Sequence, residues 1–323
     1  MPAYFVAGLL LTVLGMKLFL SLLKHTDLLR RRELIDNNKK PCIRELHRNK
    51  QNTFTMGGVI MNIVLLLLTA GFFLFRRKVL WLNLFMLLYG VMGFADDMIK
   101  SKKLRDGVKP WEKLAGLTVI SSLAVVFLAE TGSLRTELIL PFFNHSISMS
   151  VLPYSLLMIL LLVATTNSVN LTDGLDGLAL GIAILAFGFI GAAAWKTGNT
   201  DVLYSAGMLL GICFGTLVYN RYPAKIFMGD TGSLFLGGAI GLLLIELNLP
   251  MWTFLILIVC LWETLSVIIQ LTSLKLRGKK VFRIAPYHHH LEKCGWKETR
   301  IVPLFWLVTL IFCVVGYAAF RVL

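Results

Sequence analysis

Asp96 and Asp97 stand side by side and are followed by Lys100, Lys102 and Lys103. Two adjacent carboxylates repel each other, so near a low-dielectric surface they call for a bound cation or a shared proton. The plainer reading is a pair of solvated charges at the end of a helix. Farther on, Asn170-Leu-Thr-Asp173-Gly-Leu-Asp176-Gly177 puts two acids three residues apart, on one face of a helical turn, with glycines that let backbone approach a ligand. Ordinary helix capping accounts for one of those acids but not for both plus the glycines. Phe227-Met-Gly229-Asp230-Thr-Gly-Ser233, preceded by Asn220 and Pro223, offers backbone N–H groups and hydroxyls to a phosphate and one acid to a metal. It lacks the GxxxxGK[ST] pattern of a P-loop. Last comes Pro286-Tyr-His288-His289-His290-Leu-Glu292, whose histidines can donate to phosphate, titrate near neutral pH or bind a metal. Consecutive residues on regular structure do not all face one ion, which argues against zinc held by the triplet alone.

These motifs must be positioned by an apolar scaffold. Of 323 residues 57% are apolar and 15% charged, and the mean hydropathy is +0.75. A helix needs roughly 20 apolar residues to cross a bilayer, and the apolar runs here are continuous, without the alternation of barrel strands. Spans are expected near 3–23, 56–75, 79–95, 112–130, 151–168, 178–195, 201–219, 232–248, 251–274 and 301–320. The fold class is therefore an all-α integral membrane protein of about ten transmembrane helices, read as a single polytopic domain over 1–323. A small hairpin is expected within Thr131–Ser150. Arg76, Arg77 and Lys78 read as a short turn between the second and third spans, and span nine reads as the longest helix.

The net charge of +14 would suggest nucleic acid in a soluble chain, but here the basic residues lie between apolar runs and fix topology, so no nucleic-acid partner is expected. Lys and Arg crowd the loops after spans one, three and nine and are sparse in the alternate loops and at both termini. That places both termini on the outer side and every polar motif on the cytoplasmic face of the inner membrane. The five cysteines show no ligand spacing. Interior charges such as Lys17, Glu246 and Glu263 look scattered. A transporter would instead gather its polar residues at mid-bilayer.

In joint order the motifs resemble the phospho-N-acetylmuramoyl-pentapeptide transferase (MraY) family of polyprenyl-phosphate N-acetylhexosamine-1-phosphate transferases. The likeness is carried by Thr55-Met-Gly-Gly58, Asp96-Asp97-x-x-Lys100, the Asn170–Gly177 motif, Asn220-x-x-Pro-Ala224, Phe227–Ser233 and Pro286–Trp296. It implies a Mg²⁺-dependent enzyme that moves phospho-MurNAc-pentapeptide from UDP-MurNAc-pentapeptide to undecaprenyl phosphate, giving lipid I and UMP. The related alternative is transfer of GlcNAc-1-phosphate from UDP-GlcNAc. Residue by residue, the resemblance implies that Asp96, Asp97 and Asp230 are the essential acids, with Asp230 the metal ligand. It puts Asn170, Asp173, Asp176 and Phe227 at the uridine, and His288, His289, Lys100 and Asn220 around the phosphates, with Gln270 nearby. Gly229 and His290 fall in the same motifs and count among the substrate-binding positions. Lys50 and Thr53 match positions at the nucleotide sugar, although the loop Lys50-Gln-Asn-Thr53-Phe54-Thr55 has lost the glycine and proline usual in the family. Either Asp96 or Asp97 would orient or deprotonate the attacking lipid phosphate, directly or by way of a phosphoryl-aspartate. The lipid is expected along span nine, and the oligomeric expectation is a homodimer.

Overall fold

The computed structural model describes residues 2–24, 53–71, 76–102, 107–143 and 145–321. Lys50 lies outside them. The elements in order are α1 (Pro2–Leu23), α2 (Gly58–Ala70), α3 (Arg77–Ser101), α4 (Pro110–Glu130), β1 (Glu137–Ile139), β2 (Ser146–Ser148), α5 (Val151–Thr172), α6 (Leu178–Thr197), α7 (Thr200–Asn220) and α8 (Gly229–Glu246). After a 3-10 turn at Pro250–Trp252 come α9 (Thr253–Ile256), α10 (Ile258–Arg277), α11 (Tyr287–Lys293) and α12 (Glu298–Arg321). Among the described residues nine of these helices are long and apolar enough to cross a membrane, and α2 is a shorter apolar helix of 13 residues. The chain is a polytopic helical membrane protein.

The centre of the bundle is α8, in which every residue from Thr231 to Glu246 is buried. Between helices already in an apolar medium, close contact of backbones does what water exclusion does elsewhere, and it requires small residues. On α8 these are glycines. A Cβ on Gly237 would come 2.6 Å from the Thr166 Cα of α5, and one on Gly238 would come 2.3 Å from the Tyr89 ring of α3. From the opposite side, a Cβ on Gly58 of α2 would meet the Gly232 backbone nitrogen at 2.2 Å. Around this axle α1 packs along α7, and α6 lies between α7 and α12. Some buried polar side chains pair across helices, as with Asn83 Nδ2 donating to Thr69 Oγ1 at 2.9 Å and Tyr89 with Ser121 at 2.9 Å.

Far from the motif-bearing ends, α3 is tied down by charge. Lys78 pairs with the buried Glu246 at the end of α8, and Arg76 Nη1 reaches Asp201 Oδ1 at 2.8 Å and Thr200 Oγ1 at 2.9 Å. Arg77 and Lys78 thus belong to α3 and not to a turn. Next to this end, β1 and β2 form the expected hairpin, antiparallel with Glu137 opposite Ser148.

Span nine is the clearest departure from the hydropathy reading, since residues 250–277 do not form one helix. The chain leaves helical geometry at Leu257, with φ −108° and ψ 24°. The two halves serve different neighbours: the first packs on α12, where the Trp252 indole N–H donates to Gly316 O at 2.8 Å, while α10 runs along α5. With 20 residues α10 is not the longest helix; among the described helices α3 is, with 25.

The glycine packing yields a direct test. Gly58→Val should destabilise the folded protein by on the order of 1–3 kcal/mol through overpacking against α8. Gly188→Val, where nothing lies within 4 Å of an added Cβ, should leave the melting temperature in detergent nearly unchanged. Equal melting temperatures for wild type and Gly58→Val would contradict this account of α8.

Candidate active site

The site begins where α3 ends and α8 starts. Gly93 of α3 lies so close that an added Cβ would sit 2.1 Å from Asp230 O. Gly229 takes φ +71°, and a Cβ there would fall 2.6 Å from Asp97 Oδ2. This approach lets Asp97 cap α8 from a neighbouring helix. Its Oδ1 accepts from Asp230 N at 3.1 Å, and its Oδ2 accepts from Thr231 N at 2.9 Å and Thr231 Oγ1 at 2.6 Å. A carboxylate against free N–H groups at a helix N-terminus is favourable both as a hydrogen-bond acceptor and as a charge. Asp96 and Asp97 are therefore buried parts of the last turns of α3, not solvated charges beyond its end.

Asp96 faces a different set. Lys100 Nζ, one turn along α3, lies between Asp96 Oδ2 at 2.5 Å and Asp230 Oδ2 at 3.0 Å. The other Asp96 oxygen accepts from Val108 N, in a loop that passes so near that a Cβ on Gly107, at φ +106°, would meet Asp96 Oδ1 at 2.5 Å. Lys113, in the first turn of α4, reaches Asp230 Oδ2 at 3.0 Å and Asn170 Oδ1 at 2.9 Å. Asn170 Nδ2 in turn donates to Asp230 Oδ1 at 3.0 Å and to Ser233 Oγ at 2.8 Å. Ends of four helices thus converge on Asp230. Asn170, expected at the uridine, lies within this carboxylate cluster.

Lys113 was not singled out by the sequence, where it reads as one more topology-setting charge. Its signal is faint: a lysine three residues past Pro110, at the start of an apolar run. Only the packing of α4 beside α3 and α5 turns it toward Asp230.

Among the described residues no three His, Cys, Asp or Glu side chains are grouped about a common metal position. Asp96 and Asp230 nevertheless lie within hydrogen-bonding reach of each other and share one ammonium group between them. Two hard oxygen donors that already accommodate a cation suit Mg²⁺, which commonly takes one or two carboxylates and completes its shell with water and phosphate oxygens. Against three carboxylates there are two lysines, so the cluster has room for further positive charge.

A second group of motif residues is engaged in holding loops. Asp176 Oδ2 accepts from Ala224 N at 2.9 Å, and Asp176 N donates to Glu298 of α12. Asn220 Oδ1 accepts from Gly177 N at 3.0 Å, and its Nδ2 donates to Ile226 O at 2.9 Å. Gln270 accepts from Val281 N and Phe282 N and donates to Phe282 O. The structure gives Asn220 and Gln270 backbone partners where phosphate contacts are expected. Asp173, half-buried, follows the last residue of α5. Half-buried Thr53 precedes a one-residue parallel bridge between Phe54 and Ile226, and Phe227 N donates to Phe54 O at 2.8 Å. Phe54, which stands where the family has proline, is thereby seated beside the Phe227–Ser233 motif.

The three histidines point to three different settings. The His288 ring is buried beside Glu263 of α10, and a Cβ on Gly174 would fall 2.1 Å from its Nε2. His289 Nδ1 lies 2.7 Å from Glu292 Oε2. His290 accepts from Arg283 N at 3.1 Å and stacks on Tyr287. The triplet does not form one metal site.

Comparisons with known proteins bear on the family of the chain as a whole. Residues 79–248, which include Asp96, Lys113, Asn170 and Asp230, match the model of glycosyl transferase family 4. A phospho-N-acetylmuramoyl-pentapeptide-transferase of Acetivibrio thermocellus is 40% identical over 282 residues, covering 85% of this chain and 84% of the relative. One from Anoxybacillus flavithermus is 43% identical over 275 residues, covering 84% of each chain. A third, from Clostridium botulinum strain Alaska E43, is 39% identical over 277 residues with the same coverage.

Replacing Lys113 by methionine removes an ammonium group from Asp230 and from Asn170. Nucleotide release by the purified variant should fall on the order of 100-fold, the scale of losing one charge-stabilising group at a reacting centre. Turnover within two-fold of wild type would return Lys113 to the topology-setting residues.

Proposed function

The chain belongs to the phospho-N-acetylmuramoyl-pentapeptide-transferase family, and from that premise we infer that it transfers phospho-MurNAc-pentapeptide from UDP-MurNAc-pentapeptide to undecaprenyl phosphate, producing lipid I and UMP. The observation that carries the reading at the level of residues is the convergence of Asp96, Lys100, Lys113 and Asn170 on Asp230. Both substrates are polyanions, one soluble and one anchored in lipid. A site for them needs fixed positive charge and an acid able to manage a proton, all at helix ends within reach of the membrane surface.

In the mechanism proposed, a lipid phosphate oxygen attacks the phosphorus attached to the sugar, and the bond from that phosphorus to the oxygen of UMP breaks. Asp96 orients the attacking phosphate and takes its proton when it arrives protonated. Sequence left this role open between Asp96 and Asp97. The three hydrogen bonds by which Asp97 caps α8 favour Asp96 and make Asp97 the residue that holds Asp230 in place. Lys100 and Lys113 lie against Asp230 and offset charge that gathers on the phosphates. When Mg²⁺ is bound, Asp230 and Asp96 would hold it, and it would supply Lewis-acid stabilisation of the departing phosphate. The Asp173–Gly177 loop and Phe227 receive the uridine, with His289 near the phosphates. The whole chain acts as one membrane domain, its site on the cytoplasmic face to which the lysine-rich loops assign it.

The purified protein, supplied with Mg²⁺, undecaprenyl phosphate and either UDP-MurNAc-pentapeptide or UDP-GlcNAc, should release UMP only with the former. Without lipid acceptor it should retain no phospho-sugar. Preference for UDP-GlcNAc would overturn the substrate assignment, and a trapped phosphoryl-protein would overturn direct attack.

A further inference from the structure

Glu263 has no part in the mechanism above, yet it is fully buried in α10, a helix with much of its remaining surface exposed. A carboxylate inside an apolar helix is costly unless its oxygens are engaged, and such residues in membrane spans are a reason to look for function. Among the described residues the hydrogen-bond partner of its carboxylate is His288. His288 N donates to Glu263 Oε1 at 3.1 Å and to Oε2 at 3.3 Å, and His288 Nδ1 lies 3.2 Å from Oε2. The carboxylate therefore accepts from the His288 backbone and stands at ion-pairing distance from its ring.

The other side of that ring is equally defined. His288 is 1% exposed, and its Nε2 faces Gly174 so closely that any side chain there would collide with it. Gly174 lies between Asp173 and Asp176 in the loop that ends α5. Neither ring nitrogen has a hydrogen-bond partner among the described residues. A buried nitrogen left unpaired calls for an explanation, and one pointing into a nucleotide loop is explained by a ligand that donates to it. A carboxylate at one ring nitrogen selects the tautomer and so determines what the other nitrogen can do.

We propose that Glu263 is a positioning residue that holds His288 in the Nδ1–H form, so that the Nε2 lone pair accepts a hydrogen bond from a hydroxyl or imide N–H of the bound nucleotide. The proposal rests on the reading that this site binds a uridine nucleotide. Glutamine at 263 keeps an oxygen for the backbone N–H of His288 but no longer favours Nδ1–H through charge. Glycine at 174 is required because any side chain there would collide with the His288 ring.

Four measurements test this, made on the full-length protein. Glu263→Gln should raise KM for UDP-MurNAc-pentapeptide on the order of ten-fold or more, the usual scale for the outer partner of a functional histidine, and leave KM for undecaprenyl phosphate unchanged. The double variant Glu263→Gln/His288→Asn should be no worse than His288→Asn alone, because the two residues act through one contact. Calorimetric binding of UMP should weaken in parallel with KM, a readout independent of which sugar is transferred, so that failure of the substrate assignment would not be mistaken for failure of this proposal. Nitrogen-15 spectra of UMP-bound wild type, with His288→Asn used for assignment, should show His288 protonated at Nδ1 and not at Nε2, and this holds whether or not the glutamine variant folds. Additive losses in the double variant, equal effects on both substrates, unaltered UMP binding by folded Glu263→Gln, or a proton on Nε2 would each overturn the proposal.

Discussion

The arrangement depends on one carboxylate of α3 closing the N-terminus of α8. Asp97 receives two backbone N–H groups and one hydroxyl from Asp230 and Thr231. Hydrogen bonds to a charged acceptor contribute roughly 1.5–3 kcal/mol each, so this contact alone is comparable with the net stability of many domains. It forms only because Gly93 and Gly229 bring the two backbones together, and Gly58 presses α2 onto the same turn. The opposite end of α3 is fixed independently by Lys78 and Glu246. With α3 pinned at both ends against a buried α8, Asp230 has little freedom, and Asp96, Lys100, Lys113 and Asn170 meet it in a fixed geometry.

That rigidity suits the reaction inferred for the chain. Phosphoryl transfer between two anionic partners leaves little covalent chemistry for the protein, and most of the acceleration must come from positioning and from charge placed in advance. Three acids and two lysines in mutual contact give a cluster whose charges are already oriented when substrate arrives. The acids resemble one another in sequence yet differ in setting: one caps a helix, one lies against Gly107 and Val108, and one stands where four helix ends meet. Adjacent residues on a helix point in different directions, which is why an Asp-Asp pair divides its labour in this way.

Much of this was legible in the sequence. Apolar runs gave the helices, because the bilayer imposes a length that a chain either meets or does not, and motifs such as Asp96-Asp97 and Gly229-Asp230-Thr announced themselves by being polar in an apolar chain. What sequence missed depends on contacts between distant segments. Lys113 gains meaning only from α4 lying beside α3 and α5, and Glu263 only from His288 folding back onto α10. Asn220 and Gln270 carry polar side chains in recognisable motifs, and composition cannot reveal that those amides are occupied by backbone. The break at Leu257 was invisible to hydropathy because both sides of it are equally apolar and only their packing partners differ.

The central claim is that the cluster around Asp230 is where transfer occurs. It is tested most directly by replacing that carboxylate with the isosteric amide, Asp230→Asn, and following UMP release at saturating UDP-MurNAc-pentapeptide, undecaprenyl phosphate and Mg²⁺. The account predicts a fall in kcat on the order of 100-fold or more in a variant that keeps its melting temperature. Full Mg²⁺-dependent turnover by Asp230→Asn would contradict it.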